Sequence, residues 1–232
     1  MNVKITAIGN EGFQIATPAA TILIDAFYEP YLSAGAAPGV APEQIRQADL
    51  ILVTHAHADH FDPAQVAEAA ARTGAAVVGP PAVILPLSGH LPAERLVELD
   101  PPLARKPAPA ESRSCILPAA AVTAFRTFHG RGHNSYLVDA GGFRFFHDGD
   151  NENTRRLRPP ALGRLDALFI APWQGSGWVE FVEALRPAHW FLMHLDEREL
   201  DRHEQGAYLP ELCDRVPPGL VVLRPGQSWV GP

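Results

Sequence analysis

Basic residues are scarce in this chain and form no run. Nineteen Lys+Arg stand against 26 Asp+Glu, for a net charge of −7. Phosphate backbones are gripped by Lys and Arg, so this balance argues against nucleic acid as the main substrate. Cysteine is nearly absent. Cys115 and Cys213 lie far apart and make neither a CxxC pair nor a disulfide framework, so both are expected to be buried free thiols in a reducing compartment. No apolar run approaches the roughly 20 residues that cross a bilayer, so no membrane span is expected. Residues Met1 to Thr6 alternate like a strand, with no basic region followed by an apolar stretch. No signal peptide is therefore expected, and the cytoplasm is the expected compartment. No Ser or Cys stands in a recognisable nucleophile arrangement, and the scattered glycines do not read as a phosphate loop.

What the chain does have is apolar residues in short, regularly punctuated runs. At 232 residues and 47% apolar it can bury a sizeable core, and residues 1–232 read as a single domain, with two similar halves in outline. Val3–Ile8, Phe13–Ala16 and Thr21–Asp25 form an opening meander separated by Gly/Asn and Pro turns. Leu50–Val53 is a continuous apolar strand. Asp62-Pro63 reads as an N-cap followed by a first-turn proline, opening a helix to about Arg72 that stops at Gly74. Further strands are expected at 75–78, 96–99, 122–128, 135–138, 143–147, 165–170, 188–193 and 220–223. Further helices are expected near 83–85, 179–185 and 209–216. Residues 27–42 and 101–113 read as loops, the first able to wall a cleft.

The densest chemistry is Thr54-His55-Ala56-His57-Ala58-Asp59-His60-Phe61-Asp62, directly after the Leu50 strand. Three imidazoles and a carboxylate within six residues point to metal. His55 and His57 are two apart and share a side of an extended segment, while Asp59 and His60 follow a turn later. Four donors on so short a stretch are hard to aim at one ion, and two adjacent ions are the easier geometry. A second apolar strand, Val122–Phe128, runs into His129 and His133, and a third, His189–Met193, into His194.

His55-x-His57-x-Asp59-His60 resembles the signature of the metallo-β-lactamase superfamily of hydrolases. The opening meander, with its strand ending in Leu23-Ile24-Asp25, resembles the ascorbate-6-phosphate lactonase-like branch. The resemblance implies an α/β fold, a four-layer αβ/βα sandwich of two mixed sheets with outer helices. It implies that His55, His57 and His129 hold one ion, that Asp59, His60 and His194 hold another, and that Asp150 bridges them. His133 is the rival to His129, as a ligand or as a pocket residue. Two departures stand out: Asn151 follows Asp150 where the family has Thr, and Leu192 stands two before His194 where Pro is usual. Asp25 reads either as a carboxylate that orients a ligand histidine or as an ordinary turn residue.

The implied cofactors are two divalent ions, zinc first, with manganese or iron also compatible with nitrogen and oxygen donors. The implied activity is hydrolysis of a small ester, lactone or phosphodiester by a metal-bound hydroxide, with Asp59 orienting the nucleophile and moving protons. The expected partner is thus a small-molecule substrate, and homo-oligomerisation is left open. Arg155, Arg156, Arg158 and Arg164 read as a solvated face that an anionic substrate could also use, and Trp173 and Trp178 as pocket walls or packing. Two other classes compete: a metal-binding module without turnover, and a metal-dependent redox protein. Redox relatives carry Glu in place of the second motif histidine, which this chain keeps.

Overall fold

A computed structural model describes residues 2–28, 38, 40–105, 107–130 and 132–231. The first half runs Val3–Gly9 (β1), Gly12–Ala16 (β2), Thr21–Ile24 (β3), Leu50–Leu52 (β4), Pro63–Thr73 (α1), Ala76–Gly79 (β5), Pro81–Leu87 (α2) and Leu96–Glu98 (β6). The second half runs Ser112–Ile116 (β7), Ala121–Arg126 (β8), Asn134–Ala140 (β9), Phe143–His147 (β10), Pro159–Leu162 (α3), Ala167–Ile170 (β11), Trp178–Leu185 (α4) and His189–Leu192 (β12). It closes with Glu197–Glu204 (α5), Leu209–Leu212 (α6), Leu220–Val222 (β13) and Ser228–Gly231 (β14).

The strands build two seven-stranded sheets, ordered β14-β1-β2-β3-β4-β5-β6 and β13-β12-β11-β10-β9-β8-β7. Each begins as an antiparallel meander and continues as parallel strands, from β3 to β6 in one and from β10 to β13 in the other. The twofold outline expected from sequence is therefore real at the level of topology.

Three apolar clusters show why the layers stack. Ile5, Phe13, Ile15, Leu50 and Leu52 of the first sheet meet Val122, Tyr136, Phe145, Phe169 and Phe191 of the second. The opposite face of the first sheet, Leu23, Ile51 and Val77, packs on Val66, Ala70 and Val83 of α1 and α2. Phe146, Leu168 and Trp190 of the second sheet pack on Trp178, Phe181, Val182 and Leu200. Side chains alternate along a strand, so Leu50 and Leu52 face the other sheet while Ile51 faces the helices. A strand covered on both faces must be apolar throughout, which is why Leu50–Leu52 shows no alternation in sequence. Helix, sheet, sheet, helix is the expected four-layer sandwich.

The start of α1 follows the sequence reading closely. Asp62 accepts hydrogen bonds from the Ala64 and Gln65 amides, Pro63 begins the helix, and Gly74 ends it at φ 81°. The short α3 escaped it, and so did two longer elements. β7 is an edge strand with mostly exposed side chains, so it lacks an apolar period. α5 buries only Leu200 and is held instead by a reciprocal cap, in which Asp196 accepts from the Glu199 amide and Glu199 from the Asp196 amide. Cys115 and Cys213 are free but half-buried, not fully buried as expected. Most of the loop expected over residues 27–42 lies outside the described residues. None of the described helices is long and apolar enough to cross a membrane.

Candidate metal centre

Every donor singled out in the sequence sits just beyond the carboxyl end of a strand, along one edge of the sandwich. His55, His57, Asp59 and His60 follow β4, His129 follows β8, Asp150 follows β10 and His194 follows β12. Residues up to 139 apart in sequence therefore meet because strand ends of both sheets converge, as open α/β sheets place their sites. Donor atoms of His55, His57, His129 and Asp150 lie within 4.8 Å of one another, as do those of Asp59, His60 and His194. Asp150 is central. Its Oδ2 is 3.1 Å from His129 Nε2, 3.3 Å from His60 Nε2 and 3.7 Å from His55 Nε2, and its Oδ1 is 3.3 Å from His194 Nε2.

Asp25 is more than a turn residue. The Thr54 amide and hydroxyl both donate to its carboxylate, at 2.8 and 2.6 Å, and His60 Nδ1 lies 3.1 Å from Oδ2. Because the Thr54 hydroxyl spends its proton on Asp25, it can only accept from His55 Nδ1, 3.0 Å away. Both imidazoles are thereby held as Nδ1–H tautomers with Nε2 turned toward Asp150. Each group hydrogen-bonded to Asp25 donates, so an amide there would set N–H against N–H. Asp25→Asn is expected to weaken metal binding by about 10- to 100-fold with the fold retained. Metal titration followed by calorimetry checks this, and an unchanged affinity would remove Asp25 from the orienting role.

His133 has no nitrogen to spare. Its Nε2 accepts from the Asp150 amide at 2.9 Å, so Nδ1 carries the proton and donates to Thr127 Oγ1 at 2.8 Å. Thr127 passes the chain to Ser135, which donates to the Asp148 carbonyl. His133 thus holds the Asp150 loop, and His129, anchored by Glu152 at 2.8 Å, is the imidazole presented to Asp150. Asn151 accepts from the Phe128 amide and donates to Asp148, tying the His129 and Asp150 loops together. His147 and Asp148 are fully buried around the centre.

The electrostatics suit cations. Burial and neighbouring imidazoles hold His55 far below the ordinary histidine range, and burial lowers His133 as well. Burial also opposes charge on His60, but hydrogen bonds to Asp150, Asp25 and Asp59 overcome it and raise that group well above normal. For Asp150 burial raises the pKa, yet His60 and the surrounding imidazoles bring it strongly down. Burial pushes Asp148 up to about 7 and lowers His147 to about 4.

The test of fit lies in orphaned atoms. His55 Nε2, His60 Nε2 and Asp150 Oδ1 are buried without a hydrogen-bond partner. A buried polar atom left unpaired is costly, and three that face the same small space match a site shaped for cations. The backbone carries the mark of function too. Asn10, Asp25 and His194 are non-glycine residues at φ 48°, 43° and 60°, a conformation kept where the surroundings enforce it.

Sequence reasoning missed Asn10 and Glu11, which it read only as a turn. Asn10 Nδ2 donates to the Asp59 carbonyl at 2.9 Å, and the Asn10 carbonyl accepts from the His194 amide at 3.1 Å. Glu11 is fully buried beside His60 and Asp150, and burial followed by the Asp150 charge pushes its carboxyl well up. Nothing local in Gly9-Asn10-Glu11-Gly12 distinguishes it from an exposed turn. The two tryptophans divide between the roles foreseen for them. The Trp173 ring lies 4.8 Å from His194, and Trp178 packs in the core on Trp190.

Comparison with known proteins agrees with this architecture. A metal-dependent hydrolase of the UPF0173 group from Thermococcus onnurineus is 43% identical over 76 residues, 33% of this chain and 30% of that protein. The aligned segment is thus less than a third of the relative's length. Among solved structures, the metallo hydrolase Igni18 from Ignicoccus hospitalis superposes with a TM-score of 0.66 at 18% identity, covering 100% of this chain and 99% of that one. The metallo-beta-lactamase fold protein YhfI from Bacillus subtilis gives 0.66 at 15% identity, with 99% of both chains covered. At such identities these two establish the fold alone. The sequence profile of the beta-lactamase superfamily domain matches residues 20–204, from the third strand to the end of α5, and the chain belongs to that superfamily.

Proposed function

We propose that the protein is a dinuclear metal-dependent hydrolase acting on a small ester, lactone or phosphodiester, built as one domain over residues 1–232. The observation that carries this reading is the convergence on Asp150 of imidazoles from both sheets, with buried donor atoms that no protein group satisfies. His55, His57 and His129 would hold the first ion, and Asp59, His60 and His194 the second, with Asp150 shared. Three imidazoles and a carboxylate shared with the second ion would leave the first ion able to take a water by expanding to five ligands, as catalytic sites do. Bound divalent ions, zinc foremost, lower the pKa of coordinated water to about 7 and polarise a carbonyl or phosphoryl oxygen. Asp59 is half-exposed at the mouth, with Oδ2 3.5 Å from His60 Nε2 and 3.8 Å from His194 Nε2. From there its carboxylate orients the attacking water and accepts its proton.

Space beside the centre suits a small molecule. A cavity of about 480 Å³ opens past His194, lined by Trp173, Glu199 and Tyr208. Another of about 490 Å³ lies past Gly130, lined by Phe128, Arg126 and Arg156. Both fall in the range of small-ligand sites, about 300–1,000 Å³. Arg156 is occupied in holding the Ala104 and Ala108 carbonyls, so it acts as a strut of that wall. The opening meander and Asp25 support the lactonase-like branch within the superfamily, and the net charge of −7 supports a small molecule over nucleic acid as substrate.

Metal analysis of purified protein, followed by lactone, phosphodiester and thioester panels with zinc or manganese added, tests the reading. Two ions per chain and turnover on one panel are expected. Iron in place of zinc or manganese would favour redox chemistry, and loaded protein with no turnover on any panel would favour a binding module.

A further inference from the structure

Glu11 occupies the turn between β1 and β2, where a glutamate is ordinarily exposed. Its side chain has no exposed surface, and neither carboxylate oxygen has a hydrogen-bond partner. The backbone around it is fixed from three directions. His147 Nε2 donates to the Glu11 carbonyl at 3.0 Å. Asn10, at φ 48°, ties itself to the Asp59 and His194 loops. Gly12 lies so close to the Asp25 carbonyl that a Cβ would come within 2.7 Å of it, which keeps that position a glycine. The carboxylate so aimed has an oxygen within 4.8 Å of donor atoms of both Asp150 and His194.

A buried carboxylate without a hydrogen bond calls for a proton or a cation. His60 Nδ1, 3.7 Å from Oε2, does not supply one, because its single N–H is committed to Asp25 at 3.1 Å. Glu11, Asp25 and His60 also cluster, but Asp25 is already occupied by Thr54 and His60. The free direction is therefore toward Asp150 and His194.

We propose that Glu11 is a further ligand of the second ion. This rests on the two-ion reading above and changes its chemistry. The second ion then has three carboxylates, from Asp59, Asp150 and Glu11, and two imidazoles, from His60 and His194. The first keeps three imidazoles and the shared carboxylate. Oxygen-rich sites of high coordination number suit manganese or ferrous iron, whereas a nitrogen-rich four-coordinate site suits zinc. The two positions differ in preference, with zinc at the first and manganese or iron at the second.

The test is stepwise titration of chelator-stripped protein with Mn²⁺ and separately with Zn²⁺, comparing wild type with Glu11→Gln. Gln keeps the shape and removes the charge. First-ion affinity should stay within about twofold, while second-ion Mn²⁺ affinity falls at least about tenfold and Zn²⁺ loses less. The exchange-coupled manganese pair signal of the wild type should give way to a mononuclear spectrum. Metal-free Glu11→Gln should melt no lower than metal-free wild type, since Gln matches the uncharged carboxyl that burial favours there when no cation is bound. Glu11→Asp, which keeps the charge, should retain part of the second-site affinity and serves if Gln prevents folding. Both ions bound to Glu11→Gln with wild-type affinity would overturn the inference and leave the two-ion centre intact. A wild type that holds a single ion at saturating Mn²⁺ would overturn both.

Discussion

Asp150→Asn should abolish occupancy of both metal positions together and lower hydrolytic turnover by more than about 100-fold, beyond what changes to outer partners of a metal site produce. On the proposed reading one carboxylate would serve two ions. Its Oδ2 lies 3.1 and 3.7 Å from His129 and His55, assigned to the first ion, and 3.3 Å from His60, assigned to the second, while its Oδ1 lies 3.3 Å from His194, also assigned to the second. Asn keeps one oxygen and the volume, so the fold should survive. It replaces the other oxygen with an amide whose hydrogens point at a cation or at imidazole nitrogens. The negative charge is lost as well, leaving the imidazoles to face two cations with less to offset their repulsion. Loss of metal should also appear as a loss of stabilisation, because a ligand that binds only the folded state raises its stability with the logarithm of its free concentration over Kd. Wild type should melt well above its metal-free form, and Asp150→Asn should show almost no such difference. Metal counting by mass spectrometry under native conditions gives the direct readout. Two ions retained at wild-type affinity would show that Asp150 is not shared between them.

The seven proposed donors were legible in sequence because each ends, or closely follows, an apolar run that reads as a strand, and because four of them crowd into six residues. Strand-end chemistry is local and survives in one dimension. The supports were less visible. Asn10 and Glu11 act only because the β1–β2 turn folds over the ends of other strands, and no property of a four-residue turn announces that. Both His129 and His133 follow the same strand, and only the family resemblance favoured His129 as the ligand. The amide of Asp150, 17 residues on, donates to His133 Nε2, which supports that choice. In the fold, strands buried on both faces were read easily. β7 and α5 were not, because one is held by edge pairing and the other by its cap, with little buried apolar surface. The layer count came from the family resemblance, and the three separate apolar clusters supply its physical reason.

Phe169→Ala should destabilise the protein by about 3–5 kcal/mol, a large share of the roughly 5–15 kcal/mol that holds such a domain folded. Phe169 is fully buried in the layer between the sheets. Its ring stacks on Phe191 at 4.9 Å and 19°, meets Phe13 of the first sheet at 4.6 Å, and lies 5.9 Å from Phe145 and 5.6 Å from His147. Truncation to Ala removes the ring at the centre of the contacts that join β2 to β10, β11 and β12, and its close-packed neighbours cannot fully fill the gap. The site feels this because its donors are divided. His55, His57, Asp59 and His60 hang from the first sheet, and His129, Asp150 and His194 from the second. Packing between the sheets therefore sets the distance between the two halves of the ligand set. Phe169→Leu, which keeps most of the volume, should recover the greater part of the stability. Chemical denaturation of metal-free protein measures the packing effect alone, and metal titration then measures how much binding is lost with it. A Phe169→Ala protein as stable as wild type, or one weakened in stability but unchanged in metal affinity, would show that the two halves of the centre are held by their loops and not by the core beneath them.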